Sequence, residues 1–101
     1  MNKVYLSGVV SGAVMIRSES RKGEHIEFDV QVRHKTSDDV TKKELYRIHC
    51  WNRLGSWAKE NLKPGKLVVI EGYLIQKSGV CVAAKEIVPG EMTKMQHQSA
   101  E

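Results

Sequence analysis

The most constraining stretch is "HIEFDVQVRH", from His25 to His34. Ile26, Phe28, Val30 and Val32 alternate with Glu27, Asp29, Gln31 and Arg33. A helix would bring residues three and four apart onto one side; a period of two places all four apolar residues on one side of a strand. A strand with one dry side must share that side with other strands in a sheet. The same period returns elsewhere. In "KVYLSGVV", Lys3 to Val10, the residues Val4, Leu6, Gly8 and Val10 oppose Tyr5, Ser7 and Val9, and Gly8 and Gly12 signal curvature or a bulge. In the strand beginning at Glu44, Tyr46, Ile48 and Cys50 oppose Leu45, Arg47, His49 and Trp51. "KLVVIEGYLIQ" (Lys66 to Gln76) and "VCVAAKEIV" (Val80 to Val88) form a hairpin through the turn Lys77 to Gly79.

The connections set the order. The polar segment from Arg17 to His25 ends in a turn at Gly23, and Lys35 to Glu44 reads as a long charged loop. Leu54, Trp57, Ala58 and Leu62 fit a short helix from about Leu54 to Leu62, stopped by Pro64. Three strands, a helix and two strands predict an all-β chain: a five-stranded antiparallel OB-fold barrel with one short helix between strands 3 and 4. At 101 residues the chain holds one domain, expected over 1–90, with 91–101 a short polar tail that frays. No apolar run approaches a membrane span, and "MNKVYLSGVV" lacks a signal-peptide pattern, so a cytoplasmic protein is expected. Cys50 and Cys81 lie in apolar alternating stretches and read as buried thiols, with a cross-strand disulfide the alternative.

The chain carries no GxSxG, no HExxH, no phosphate-cradling glycine loop and no metal-ligand spacing. The expectation is a binder with no enzymatic activity, cofactor or metal. A net charge of +4 suits a polyanion where the cations cluster. They cluster on the polar parity of strand 3. Arg47, His49 and Trp51 share it; Arg33 and Lys35 extend the track on strand 2. On that side Trp51 offers a flat ring for stacking. Its alternative is packing under a loop or a neighbouring subunit. His49 serves either as part of that surface or as a plain exposed histidine. Arg17, Arg21 and Lys22 at the first turn, and Lys42 and Lys43 in the long loop, raise the local potential. Trp57 belongs to the core stripe of the helix. Tyr5, Val9, Val69, Ile75 and Tyr73 lie on outer parities and suit a subunit interface.

"NKVYLSGVV", "IEFDVQV", "YRIHCWNRLGSWAKENLKPG" and "LVVIEGYL", in this order, resemble the bacterial single-stranded DNA-binding protein family from about Asn2 to Val88. The resemblance implies an OB barrel that assembles as a homodimer or homotetramer and binds single-stranded DNA without sequence preference, in replication, repair or recombination. It assigns strand contacts to Arg47, Trp51 and Arg53. Leu45 stands where the family often has an aromatic, the turn "QKSGV" carries none, and the chain stops at "QHQSAE" without an acidic, aromatic-ended tail. The chain is also similar to primosomal replication protein N, which implies a replication-restart module with protein partners. A third reading, from another class, is a structural homo-oligomer that binds no nucleic acid.

Overall fold

The alternation of β2 (Gly23–Lys35) becomes a wall of the core: Ile26, Phe28 and Val30 are fully buried. In this computed structural model residues 1–90 are described; the tail expected over 91–101, with His97, lies outside them. β2 is preceded by β1 (Val4–Ser20) and followed by β3 (Thr41–Cys50), helix α1 (Asn52–Asn61), β4 (Leu67–Gln76) and β5 (Val80–Pro89). The strands close into a barrel in the order β1-β2-β3-β5-β4.

Closure corrects one expectation. The barrel is antiparallel except where β3 meets β5, which run parallel at Ile48↔Val82 and His49↔Ala83. A ring with an odd number of strands cannot alternate in direction at every seam, so one pair has to be parallel. That seam is short, and it leaves the outer part of the β2–β3 hairpin projecting as an arm.

The arm is the second correction. Pairing of β2 with β3 continues to Lys35↔Thr41, so the loop shrinks to residues 36–40, and Thr41 to Glu44 belong to the strand. This segment is wet on both sides, so it has no dry face to leave a period-two signature. β1 likewise runs ten residues past Val10, to Ser20. It breaks register between Ser11 and Met15, where Gly12 takes φ 74°, the bend that its glycines suggested.

Inside, Val10, Ile26, Phe28, Val30, Ile48, Ile70 and Val82 form the core, each such side chain contributing ~1.5–3 kcal/mol by leaving water. The helix plugs the barrel with Ala58 and Leu62, and Leu54 and Trp57 pack against the same core. It starts at Asn52, two residues before the expected start, with Trp51 as its N-cap. A side chain at Gly55 would run into the Glu24 carbonyl, so glycine is what lets the helix lie against β2. Among the described residues no helix is long and apolar enough to cross a membrane.

Candidate nucleic-acid interface

Register turns the outer side of β2 and β3 into a ladder of facing pairs. From the arm inward these are Lys35·Thr41, Arg33·Lys43, Gln31·Leu45, Asp29·Arg47 and Glu27·His49. Side chains directly opposite on one face lie within interaction distance. The arm end is cationic, although Lys35 Nζ sits 3.3 Å from Asp39. The middle presents Leu45, 59% exposed. The barrel end carries rings: His25, one residue before the Ile26↔Cys50 pair, stacks on Trp51 with centroids 4.8 Å apart and planes 16° from parallel.

Charges in the middle are tied. Arg47 donates through Nε to Asp29 and through Nη1 to Glu27, both at 2.5 Å. Asp29 and Glu27 strengthen its hold on its proton, so it stays charged but internally paired. Arg17 Nε lies 3.9 Å from the same Glu27, which is only 8% exposed. Alternation alone puts Glu27 and Asp29 opposite the dry side of β2; register makes them the acids that organise the arginines of the face.

His49 is corrected more sharply. It is 3% exposed. Its Nδ1 lies 2.8 Å from His25 Nε2, and its Nε2 lies 3.5 Å from Glu27 Oε1. The outer parity stops being a wet face here because Trp51, at 5.8 Å between centroids, covers it. Burial holds both histidines below their ordinary values; Lys77 also opposes a proton on each, and Glu27 favours one. An open groove of about 780 Å³ faces this cluster, lined by Met15, Arg17, His25, Lys77 and Cys81 among others. Lys77 Nζ stands 5.8 Å from the Trp51 ring centroid. Trp51 itself is half-buried.

Not all expected cations gather here. Lys42 and Lys43 are adjacent, so in a strand they face opposite ways. Lys43 joins Arg33 on the outer ladder, whereas Lys42 pairs with His34 on the other side, near Glu44 and Tyr46. Arg21 and Lys22 lie in the β1–β2 turn, at the opposite end of β2 from Lys35, and so do not form one cluster with the arm. Arg53 is exposed in the first turn of α1. Tyr46, expected on the barrel side, is 39% exposed because the barrel wall ends at Ile48. Sequence reading missed His25 and Lys77. His25 opens the alternating stretch just after the turn at Gly23 and keeps the parity of Glu27, the signal that could have found it.

Tyr5, Val69 and Tyr73 are exposed on the outer sides of β1 and β4, and Ile75 and Val9 are half-buried, Val9 beside Gln31. Cys50 and Cys81 are free buried thiols, and burial pushes Cys50 up to about 12. Among the described residues no group of three or more His, Cys, Asp or Glu is placed to hold a metal ion.

A closed five-stranded barrel with its helix between the third and fourth strands, and a ring-and-cation face on β2–β3, is an OB-fold of the kind that presents a surface to a polymer. The chain belongs to the Single-strand binding protein family, whose model matches residues 1–81. Among solved structures it is similar to the small single-stranded DNA-binding protein of Streptomyces coelicolor, at 18% identity and TM-score 0.71, covering 87% of this chain and 92% of that one. It is also similar to the single-stranded DNA-binding protein of Thermus aquaticus, at 19% identity and TM-score 0.77. There it covers 93% of this chain and 52% of the other, so it spans about half that protein's length. At such identities the likeness concerns the fold. Among curated proteins nothing matches.

Proposed function

We propose that this chain binds single-stranded DNA without regard to sequence, as the non-catalytic binding element of a replication, repair or recombination process. The strand lies along the outer ladder of β2–β3. Its phosphates meet Arg33, Lys43 and Lys35 on the arm and Lys77 and Arg17 at the groove. A base stacks on the side of Trp51 away from His25. Leu45 offers an apolar contact between them. The observation that carries this reading is the half-exposed Trp51, stacked on His25 and with Lys77 Nζ over its ring, 5.8 Å from the centroid. Stacking on a ring is sequence-tolerant because every base has a π-face, and it is worth ~1–3 kcal/mol per base.

Titration with poly(dT) in a Trp57→Phe background tests it: emission from Trp51 falls as the strand binds, and raising salt reverses the fall. Unchanged emission without salt-sensitive binding refutes the reading and leaves a structural oligomer. Assembly is part of the same proposal. Tyr5, 64% exposed, and Val69 and Val88, paired across β4–β5, form an apolar outer patch that suits a second copy in a homodimer or homotetramer. Sedimentation of the Val69→Glu variant, shifted to a smaller species than the parent, supports that patch.

A further inference from the structure

The stacking ring rests on a pair of histidines, and their arrangement has one open proton site. His25 Nε2 and His49 Nδ1 lie 2.8 Å apart, so one of them must donate. If His25 donates, His49 carries its own proton on Nε2, aimed at Glu27 Oε1 3.5 Å away. This assignment satisfies both buried contacts with neutral rings. It leaves His25 Nδ1 as the acceptor. Among the described residues Nδ1 makes no hydrogen bond, and no fully buried side-chain nitrogen or oxygen lacks a partner, so Nδ1 is not sealed from solvent. A proton from solvent can therefore settle on Nδ1 without breaking the ring–ring bond. It would turn that bond into a charge-assisted one, with Glu27 at the far end of the chain. The cation would lie against the face of Trp51, an attractive arrangement.

In the free protein burial opposes that proton most, and several charged groups add to it. Arg17 of β1, Arg47 of β3 and Lys77 of the β4–β5 turn bring positive charge to the pair; Glu27 of β2 is its nearest acid; the Cys81 thiol of β5 lines the same groove. Arg47 is already paired with Asp29 and Glu27. Lys77 has no ion pair among the described residues, and Arg17 only the 3.9 Å contact with Glu27. A phosphate entering the groove would neutralise the very cations that repel the proton, and would itself attract it.

We propose that His25 is a strand-binding residue that carries a proton in the complex, so that the phosphate groove of this chain gains a cation only when occupied. This rests on the single-stranded DNA reading above and adds to it a proton-coupled contact. By linkage, the strand must then bind more tightly as pH falls, by up to about ten-fold for each unit by which it raises the histidine's pKa.

The test uses the full chain and an oligo(dT), because thymine carries no group that titrates near neutrality. Calorimetry at pH 6.5 in two buffers of different ionisation enthalpy reads proton uptake. Binding at pH 7.5 and 5.5, at fixed ionic strength, reads its consequence. The expected result is uptake of a substantial fraction of one proton, tighter binding at pH 5.5, and a log–log salt slope steeper there by ~0.7. His25→Asn loses the uptake and the pH dependence, whereas His34→Asn, altered on the arm at the Glu44 pair, keeps both. The ring protons of His25 followed by NMR give the same answer without a variant: their titration midpoint moves up when oligo(dT) is added. Oligo(dT) binding without proton uptake, or uptake that survives His25→Asn, overturns this inference alone. No oligo(dT) binding at either pH overturns the DNA reading and this inference with it.

Discussion

From Thr41 to Arg47 every residue of β3 is exposed, and from Ile48 to Cys50 every residue is buried. The alternation runs unbroken across the boundary; what changes is the number of neighbours. The outer part pairs with β2 alone, as one side of the arm. The inner part is held between β2 and β5. Inside the barrel the second face is also covered, by Trp51 and His25, so His49 is sealed while keeping its polar parity. Alternation therefore tells which residues share a face. Whether that face is wet depends on strands paired much later in the chain.

The largest break in this comparison comes from truncating one residue on each side of the boundary. Ile48→Ala should cost about 2–5 kcal/mol of unfolding free energy, because Ile48 is fully buried and leaves a cavity. Leu45→Ala, three residues away on the exposed arm, should change it by no more than ~0.5 kcal/mol. Urea midpoints decide this, and similar losses at the two positions would mean that the arm is packed as tightly as the barrel.

Next in size is Trp51→Ala. It should weaken oligo(dT) binding by ~1–3 kcal/mol, with the oligomer size in sedimentation unchanged. Should binding hold and the oligomer fall apart instead, Trp51 is a packing residue of the interface.

The buried half should also answer to pH when no DNA is present. His25 and His49 sit below the ordinary value of 6.5, chiefly through burial. Just below that pH the unfolded chain then takes up more protons than the folded one, so stability falls as pH drops from 7.5 to 5.5. Glu24 and Glu44 are lowered as well, by Ser56 and by Tyr46 respectively. Their contributions are present above 4.5 and fade only below it, outside the window tested. Denaturant midpoints at the two pH values should separate in the parent and move closer in His49→Asn. Equal separation in both would place the effect elsewhere.

How much of this was legible varied with depth in the barrel. The dry faces of β2 and β4 and the Trp57 stripe of α1 could be read directly, because burial on one side leaves a period. The arm could not, since Thr41 to Glu44 are wet on both sides and polar in a row. The candidate face was half legible. Parity puts Arg47 and Trp51 on one side of β3, which the structure shares, yet it does not show the acids that hold Arg47, because pairing across β2–β3 depends on register. His25 was hidden by its place next to a turn, and Lys77 by a turn that only barrel closure brings to Trp51.

The finest test lies within the arm, where Lys42 and Lys43 are neighbours in sequence but face opposite ways. Lys43 stands across from Arg33 on the ladder that leads to Trp51, and Lys42 stands across from His34. If the strand follows the outer ladder, Lys43→Gln removes one phosphate contact and lowers the log–log salt slope by ~0.7. Lys42→Gln loses the same formal charge on the other side of the arm. A contact effect is local, whereas general attraction to a polyanion depends on net charge and is felt from either side within a Debye length of ~8–10 Å. Unequal slopes therefore place the strand on the outer ladder, with the arm as its track. Equal slopes would mean that the arm acts only as diffuse charge, leaving the specific contacts to the ring end of the face.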